Sequence, residues 1–249
     1  FEGSEFTDIS ATGDVTSTTG NEVGGLVGRV AMERNNDIVA NASATGNVTT
    51  TGRQVGGLIG HHHTGTRLRN VTATGDVTTD GQRVGGLVGD TDASITDASA
   101  TGEVTTSTTG EYVGGLVGQL RAQHGDEEVR NVTASGNVSS GGQYVGGLIG
   151  YVDDNNNEGR YVAMSEAHAT GNVNTTYADE SGFNNAYVGG LVGHFEGSEF
   201  TDISATGDVT STTGNEVGGL VGRVAMERNN DIVANASATG NVTTTGQQI

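Results

Sequence analysis

The hexapeptide Val-Gly-Gly-Leu-(Val/Ile)-Gly begins at residues 23, 55, 84, 113, 145, 188 and 217. A second signature, Ala-(Thr/Ser)-Gly-x-Val, alternates with it and opens at Ala11, Ala44, Ala73, Ala100, Ala134, Ala169, Ala205 and Ala238. The steps between hexapeptides are 32, 29, 29, 32, 43 and 29 residues. Periods of this size mean a solenoid, a propeller or an array, in which stacking supplies the core that one unit cannot form alone. A longer period encloses the short one. Residues 1–52 recur letter for letter at 195–246, an offset of 194 residues.

The spacing within a unit selects the architecture. Ile9, Ala11, Gly13 and Val15 alternate with Ser10, Thr12, Asp14 and Thr16, the period-2 pattern of a half-buried strand. The steps Phe6 to Ile9 and Val23 to Leu26 are odd. In one regular strand an odd step sends the second side chain to the wrong face, so each must contain a bulge or corner. Two or three short strands per unit follow, with no helical periodicity. Length varies only in two gaps, as stacked coils allow when loops project outward. A propeller blade takes roughly 40–45 residues and four strands, more than this unit supplies. The expected fold is therefore an all-β parallel β-solenoid (β-helix), right-handed by the crossover rule, with one 29–43-residue repeat per coil and no helices of note.

Stacking turns equivalent positions into columns. Leu26, Leu58, Leu87, Leu116, Leu148, Leu191 and Leu220 form one inward column, and the eight signature alanines form another. A core of Val, Ala, Leu and Gly is thin, and Gly13 and the Gly24-Gly25 pair are expected to let opposing sheets approach closely. An outward column reads Asp14, Asn47, Asp76, Glu103, Asn137, Asn172, Asp208, Asn241, with Asn interleaving the acids almost throughout. At about 4.8 Å per coil, seven to eight coils make a rod on the order of 35 Å long. Residues 1–249 read as one solenoid segment of a longer repetitive chain, with 1–194 one period of six coils and 195–249 the start of the next.

Composition narrows the partners. Of 249 residues 43 are Gly; Pro, Cys and Trp are absent, and all 11 basic side chains are Arg. Against them stand 30 acids, for a formal charge of −19. That balance excludes a phosphate-binding surface, hence nucleic acid, and disfavours anionic membranes. No 18-residue apolar run exists, so membrane insertion is not expected, and "FEGSEF" has neither the basic nor the apolar region of a signal peptide. Dense acid with no Lys suits a high-salt setting and excludes Lys–Asn isopeptide crosslinks.

With "ATGxV" upstream of "VGGLVG", the chain resembles the GLUG repeat family, whose motifs occur in large bacterial and archaeal surface proteins, adhesin-like and secreted ones among them. The resemblance covers nearly the whole chain. It implies an extracellular, cell-surface β-helical rod rather than a particular activity. The second gap departs from the family's Gly-rich turn and holds "RVAMERNND", "HHHTGTR" and "YVDDNNNEG" instead.

Chemistry-bearing motifs are few. The glycines of the hexapeptide do not read as a phosphate loop, because no helix follows and the motif recurs seven times. The run His61-His62-His63 reads as a solvated turn rather than a Zn²⁺ or Ni²⁺ site, since His124, His168 and His194 fall in other coils. Asp154, Asn156 and Glu158 alternate like the ligands of a calcium loop, and Asp76 beside Glu103 offers a second acidic pair. Ca²⁺ is the ion such loops would take; no cofactor is required. Glycosylation sequons fall at Asn41, Asn47, Asn70, Asn131, Asn137, Asn174, Asn235 and Asn241.

No convergent catalytic cluster is legible, so the chain reads as a non-enzyme. The expected role is structural: a rod or filament serving as surface fibre, stalk or adhesin shaft, with itself as partner through end-to-end stacking or bundling. The alternative is a module that binds surface glycans through the long gaps at 151–163 and 174–187. A β-helical polysaccharide-degrading enzyme with acids paired across coils is the remote alternative.

Overall fold

The computed structural model describes residues 5–31, 38–63, 66–107, 110–123, 126–154, 161–176, 186–197, 199–212, 216–226 and 232–245. Seven coils contain four strands each, more than the two or three expected, and the described part of the last contains two. In the first they are β1 (Glu5–Ala11), β2 (Val15–Ser17), β3 (Glu22–Gly24) and β4 (Val27–Ala31). The fourth strand was missed because the hexapeptide divides between two strands at Gly25-Leu26, a corner that accounts for its odd step. Equivalent strands stack into four parallel sheets of eight, eight, seven and seven strands, each following coil order without a crossing. The chain is thus an all-β parallel solenoid, with no helix among the described residues.

Pairing is in strict register from coil to coil. Ile9, Ala42, Val71, Ala98, Val132, Ala167, Ile203 and Ala236 form one rank of the first sheet. Large and small side chains alternate almost throughout this rank, so successive coils interdigitate and fill the interior. The odd step from Phe6 to Ile9 is a bulge at Asp8, which has φ 58° and is skipped by the pairing on either side. The same left-handed residue recurs at Asn41, Asn70, Asp97, Asn131, Glu166, Asp202 and Asn235. Asp and Asn tolerate this conformation because their short polar side chains bond locally.

The interior has two compartments. One is lined by valine alone, pairing the signature valines such as Val48 and Val77 with the first hexapeptide valines such as Val55 and Val84. The other holds the leucines, the signature alanines and the larger apolar side chains, including Phe195 stacked on Phe200 at 4.4 Å. Between them lies a waist. A Cβ added to Gly57 would fall 3.1 Å from the Ala73 Cβ and inside the contact distance of the Gly86 carbonyl. Glycine opposite alanine therefore sets the thickness, as expected, but only for the second glycine of the pair; the first, such as Gly56, instead lies against the carbonyls of Ile59 and Leu87.

The signature glycine acts differently from expectation. A Cβ on Gly75 would collide with the carbonyl of Gly46, the same position one coil earlier. It permits coils to stack at sheet spacing rather than opposing sheets to approach, because this rank lies at a corner where backbones pile directly on one another.

Two copies of one sequence occur in different surroundings. Val30 and Val39 are 6% and 0% exposed beneath the next coil, whereas their counterparts Val224 and Val233 in the last coil are 48% and 56% exposed. Conversely Phe200 and Ile203 are 1% exposed while Phe6 and Ile9 are only partly covered. Burial comes from the neighbouring coil, not from the unit itself.

Candidate functional site

Two hydrogen-bonded ladders run along the outside of the first two sheets. In the column of left-handed residues, Asn41 Nδ2 donates to Asp8 Oδ1 at 2.9 Å and Asn70 Nδ2 to Asn41 Oδ1 at 2.8 Å. Asn131 and Asn235 donate in the same way to Asp97 and Asp202. In the column after the signature glycine, the side-chain oxygen of one coil accepts the backbone N–H of the next. Asp14 accepts from Asn47, Asn47 from Asp76, and Asp208 from Asn241.

Asp76 and Glu103, paired in the sequence as an acidic couple, lie in this second ladder. Asp76 Oδ1 accepts the Glu103 N–H at 2.8 Å, and Glu103 Oε1 accepts from Asn137 Nδ2 at 3.2 Å. Seven of the sequon asparagines, Asn41, Asn47, Asn70, Asn131, Asn137, Asn235 and Asn241, occupy the two ladders, while Asn174 projects from the short strand Val173–Thr175. All eight are exposed.

The histidine run is a strand, Ile59–His63, not a solvated turn. His62 points into the core, fully buried, while His61 and His63 take the opposite face of the strand, where His61 is still buried and His63 half-buried. Thr66 Oγ1 lies 2.6 Å from His62 Nε2, while burial, reinforced by the neighbouring His61, pulls the His62 pKa down to about 3. The ring is therefore neutral at ordinary pH and serves as a packed core residue. His168 lies far from this run in the chain, against Ser204 Oγ at 2.8 Å; His124 lies outside the described residues.

The richest chemistry lies where the third and fourth sheets meet. One line consists of the residues just before each hexapeptide: Glu22, Gln54, Arg83, Tyr112, Tyr144, Tyr187 and Glu216. The facing line is the residue immediately after each hexapeptide: Arg29, His61, Asp90, Gln119, Tyr151, His194 and Arg223. Sequence reasoning passed over both because they differ from unit to unit. Their constant offset from an otherwise uniform motif is the signal that could have found them.

Along this seam ionic and aromatic stretches succeed one another. Gln54 Nε2 donates to Asp90 Oδ2 at 2.7 Å and Arg83 Nε to Gln119 Oε1 at 2.6 Å. Asp90 and Asp92 are 1% and 0% exposed, and Arg121 reaches both, with Nη2 2.9 Å from Asp90 and Nε 3.1 Å from Asp92. Further along, Tyr112, Tyr144, Tyr151, Tyr187 and His194 pack ring on ring, with centroids 5.0–5.9 Å apart. Arg83 and Arg223 lie against its two ends. Burial raises the pKa values of Tyr112, Tyr144 and Tyr151 above their usual range and lowers that of His194 to about 4, so these four rings are uncharged at neutral pH.

Beside the aromatic stretch, ligand atoms of Asp153, Asp154 and Glu196 lie within 4.8 Å of one another. Asp154 thus joins Asp153 and Glu196; Asn156 and Glu158, its expected companions, lie outside the described residues, as do 177–185 of the second long gap. No helix among the described residues is long and apolar enough to cross a membrane.

Comparison with known proteins agrees with the coil geometry. The GLUG motif matches at residues 51–78, 80–105, 109–139 and 184–210. Over 243 residues, 98% of the chain, the sequence is 93% identical to Halomucin of Haloquadratum walsbyi, and the chain spans 3% of that protein's length. No solved structure matches. Motif, register and relative agree, and the chain is a GLUG-motif repeat protein.

Proposed function

We propose that the chain is a section of an extracellular rod at the cell surface, whose work is mechanical: a shaft or spacer built by repetition. The observation that carries this reading is the register. Every sheet runs the length of the described solenoid with each strand paired to its equivalent in the next coil, so load along the axis falls on ladder hydrogen bonds shared by all coils. The similarity to a protein named a mucin supports a position outside the cell. A charge of −19 keeps such a surface soluble and discourages side-by-side collapse.

Val30 and Val39, buried beneath the next coil, support axial stacking of coils of the same kind. Parallel strand edges of such coils would pair with a further coil or another chain by the same hydrogen bonds, and head-to-tail contact of this type extends rather than closes. The buried acids of the seam are bridged by Arg121, an arrangement that serves cohesion better than turnover. Electron microscopy of native material tests the reading. Uniform filaments with an axial period of about 29 Å, six coils at strand spacing, are expected; globular particles would overturn it.

A further inference from the structure

We infer that Asp153, Asp154 and Glu196, with His194 beside them, form a binding site for a divalent cation that ties one coil to the next. Asp153 ends the strand Ile149–Asp153 and Glu196 ends the adjacent strand Val192–Glu196. Their partners one step earlier, Val152 and Phe195, are in register, so the two carboxylates occupy the same rank. Like charges on neighbouring strands repel. Here a third carboxylate, Asp154, joins them while only 4% exposed. A divalent cation would convert this concentration of negative charge into cohesion.

The second observation is His194. It is 7% exposed, both ring nitrogens lack a hydrogen-bond partner, and Nε2 lies 3.4 Å from Glu196 Oε1. A buried polar atom left unsatisfied is costly, and a cation held between the imidazole and the Glu196 carboxylate would satisfy both. Tyr151, in register with His194 one coil on, closes the aromatic side of the cluster, the kind of outer layer that metal sites use. Two ranks earlier the seam meets the same problem with a fixed cation: Arg121, neighbour of Asp153 in the ladder, directs its guanidinium to Asp90 and Asp92.

Three carboxylates call for a hard ion and one imidazole for an ion that accepts nitrogen, a combination that Mn²⁺ satisfies and Ca²⁺ meets only in part. The cation would join coils across the 43-residue unit, the longest in the chain.

The test is titration of the 249-residue chain with Mn²⁺ and separately with Ca²⁺, at one fixed NaCl concentration, by calorimetry and by electron paramagnetic resonance of free Mn²⁺. One Mn²⁺ per chain is expected above the weak uptake of surface acids. Asp154→Asn or Glu196→Gln should weaken it tenfold or more, and His194→Gln should weaken Mn²⁺ more than Ca²⁺. Asp76→Asn, an equal charge change elsewhere, should leave it intact. Circular dichroism shows that each variant keeps its strands, and Glu196, partly exposed, is the safest of them to replace. Only weak multi-site uptake in the parent, or an unchanged isotherm in folded Glu196→Gln, would overturn the proposal.

Discussion

His62 shares its rank with Val30, Thr91, Leu120, Val152 and Phe195, and the rank fixes its state. Its pKa falls from 6.5 to about 3, and that of His194 from 6.5 to about 4. Between those limits the unfolded chain binds protons that the folded chain refuses, so both residues withdraw stability as pH falls below 6.5. Glu127, pushed by burial from 4.5 to about 7, acts oppositely: its contribution is lost as pH rises through that window. Two imidazoles against one carboxyl leave a net loss on acidification from pH 6.5 to 4.5. Replacing His62 by Leu should flatten the slope by about 1.4 kcal/mol per pH unit, read from urea midpoints at several pH values; an unchanged slope would refute a neutral His62. The glycine columns make an equally local prediction. Gly75→Ala, whose added Cβ would meet the Gly46 carbonyl, should cost about 1–3 kcal/mol through overpacking, read as a lowered thermal midpoint.

Strands in this fold are short, and most of what distinguishes one from the next lies outside the repeated letters. The buried hydroxyls of Thr50, Thr79 and Ser140 each accept the N–H of the glycine two residues on, at 2.8–3.0 Å, which turns the chain from the second sheet toward the third. The Asp90–Asp92–Arg121 bridge does the corresponding work on the seam. Arg121→Met should destabilise by about 3–5 kcal/mol, because two buried carboxylates lose their shared cation. Replacing both acids by Leu as well should recover most of that loss. Denaturant unfolding of the single and triple variants distinguishes this from a surface pair of little consequence, for which neither change would register. The inward-outward alternation was legible from Ile9 to Thr16, although the strand read there is two, broken by a corner at residues 12–14. The division of the hexapeptide was not, because a corner leaves no mark on period 2 beyond an odd step.

For the whole molecule, repetition makes length adjustable. Residues 84–112 form one 29-residue unit from hexapeptide to hexapeptide. Their removal joins Arg83 to Val113 and brings together ranks that already accept equivalent neighbours. The shortened chain should keep its parallel-sheet circular dichroism and unfold cooperatively; collapse to a disordered spectrum would show that the order of coils matters as much as their kind. Local contacts between adjacent coils also mean that end coils open first. Hydrogen exchange should therefore be faster around Ile232–Ala238 than in the identical residues Ile38–Ala44, covered on both sides.

The sequence alone determined the period, the inward columns and the solenoid, because alternation is imposed by the pleat of each strand and stacking by units too small to bury their own apolar face. It also displayed Asp154 as an acid of interest. It did not assign Asp153 and Glu196 to one rank, since they stand 43 residues apart and the length of the intervening insertion is invisible to local pattern. Nor did it place His62 inside: among three consecutive histidines only the register against Val30 and Thr91 decides which one faces the core. Those choices belong to the tertiary structure, because coil-to-coil register sets which side chains become neighbours, and neighbours set charge, burial and what each group can bind.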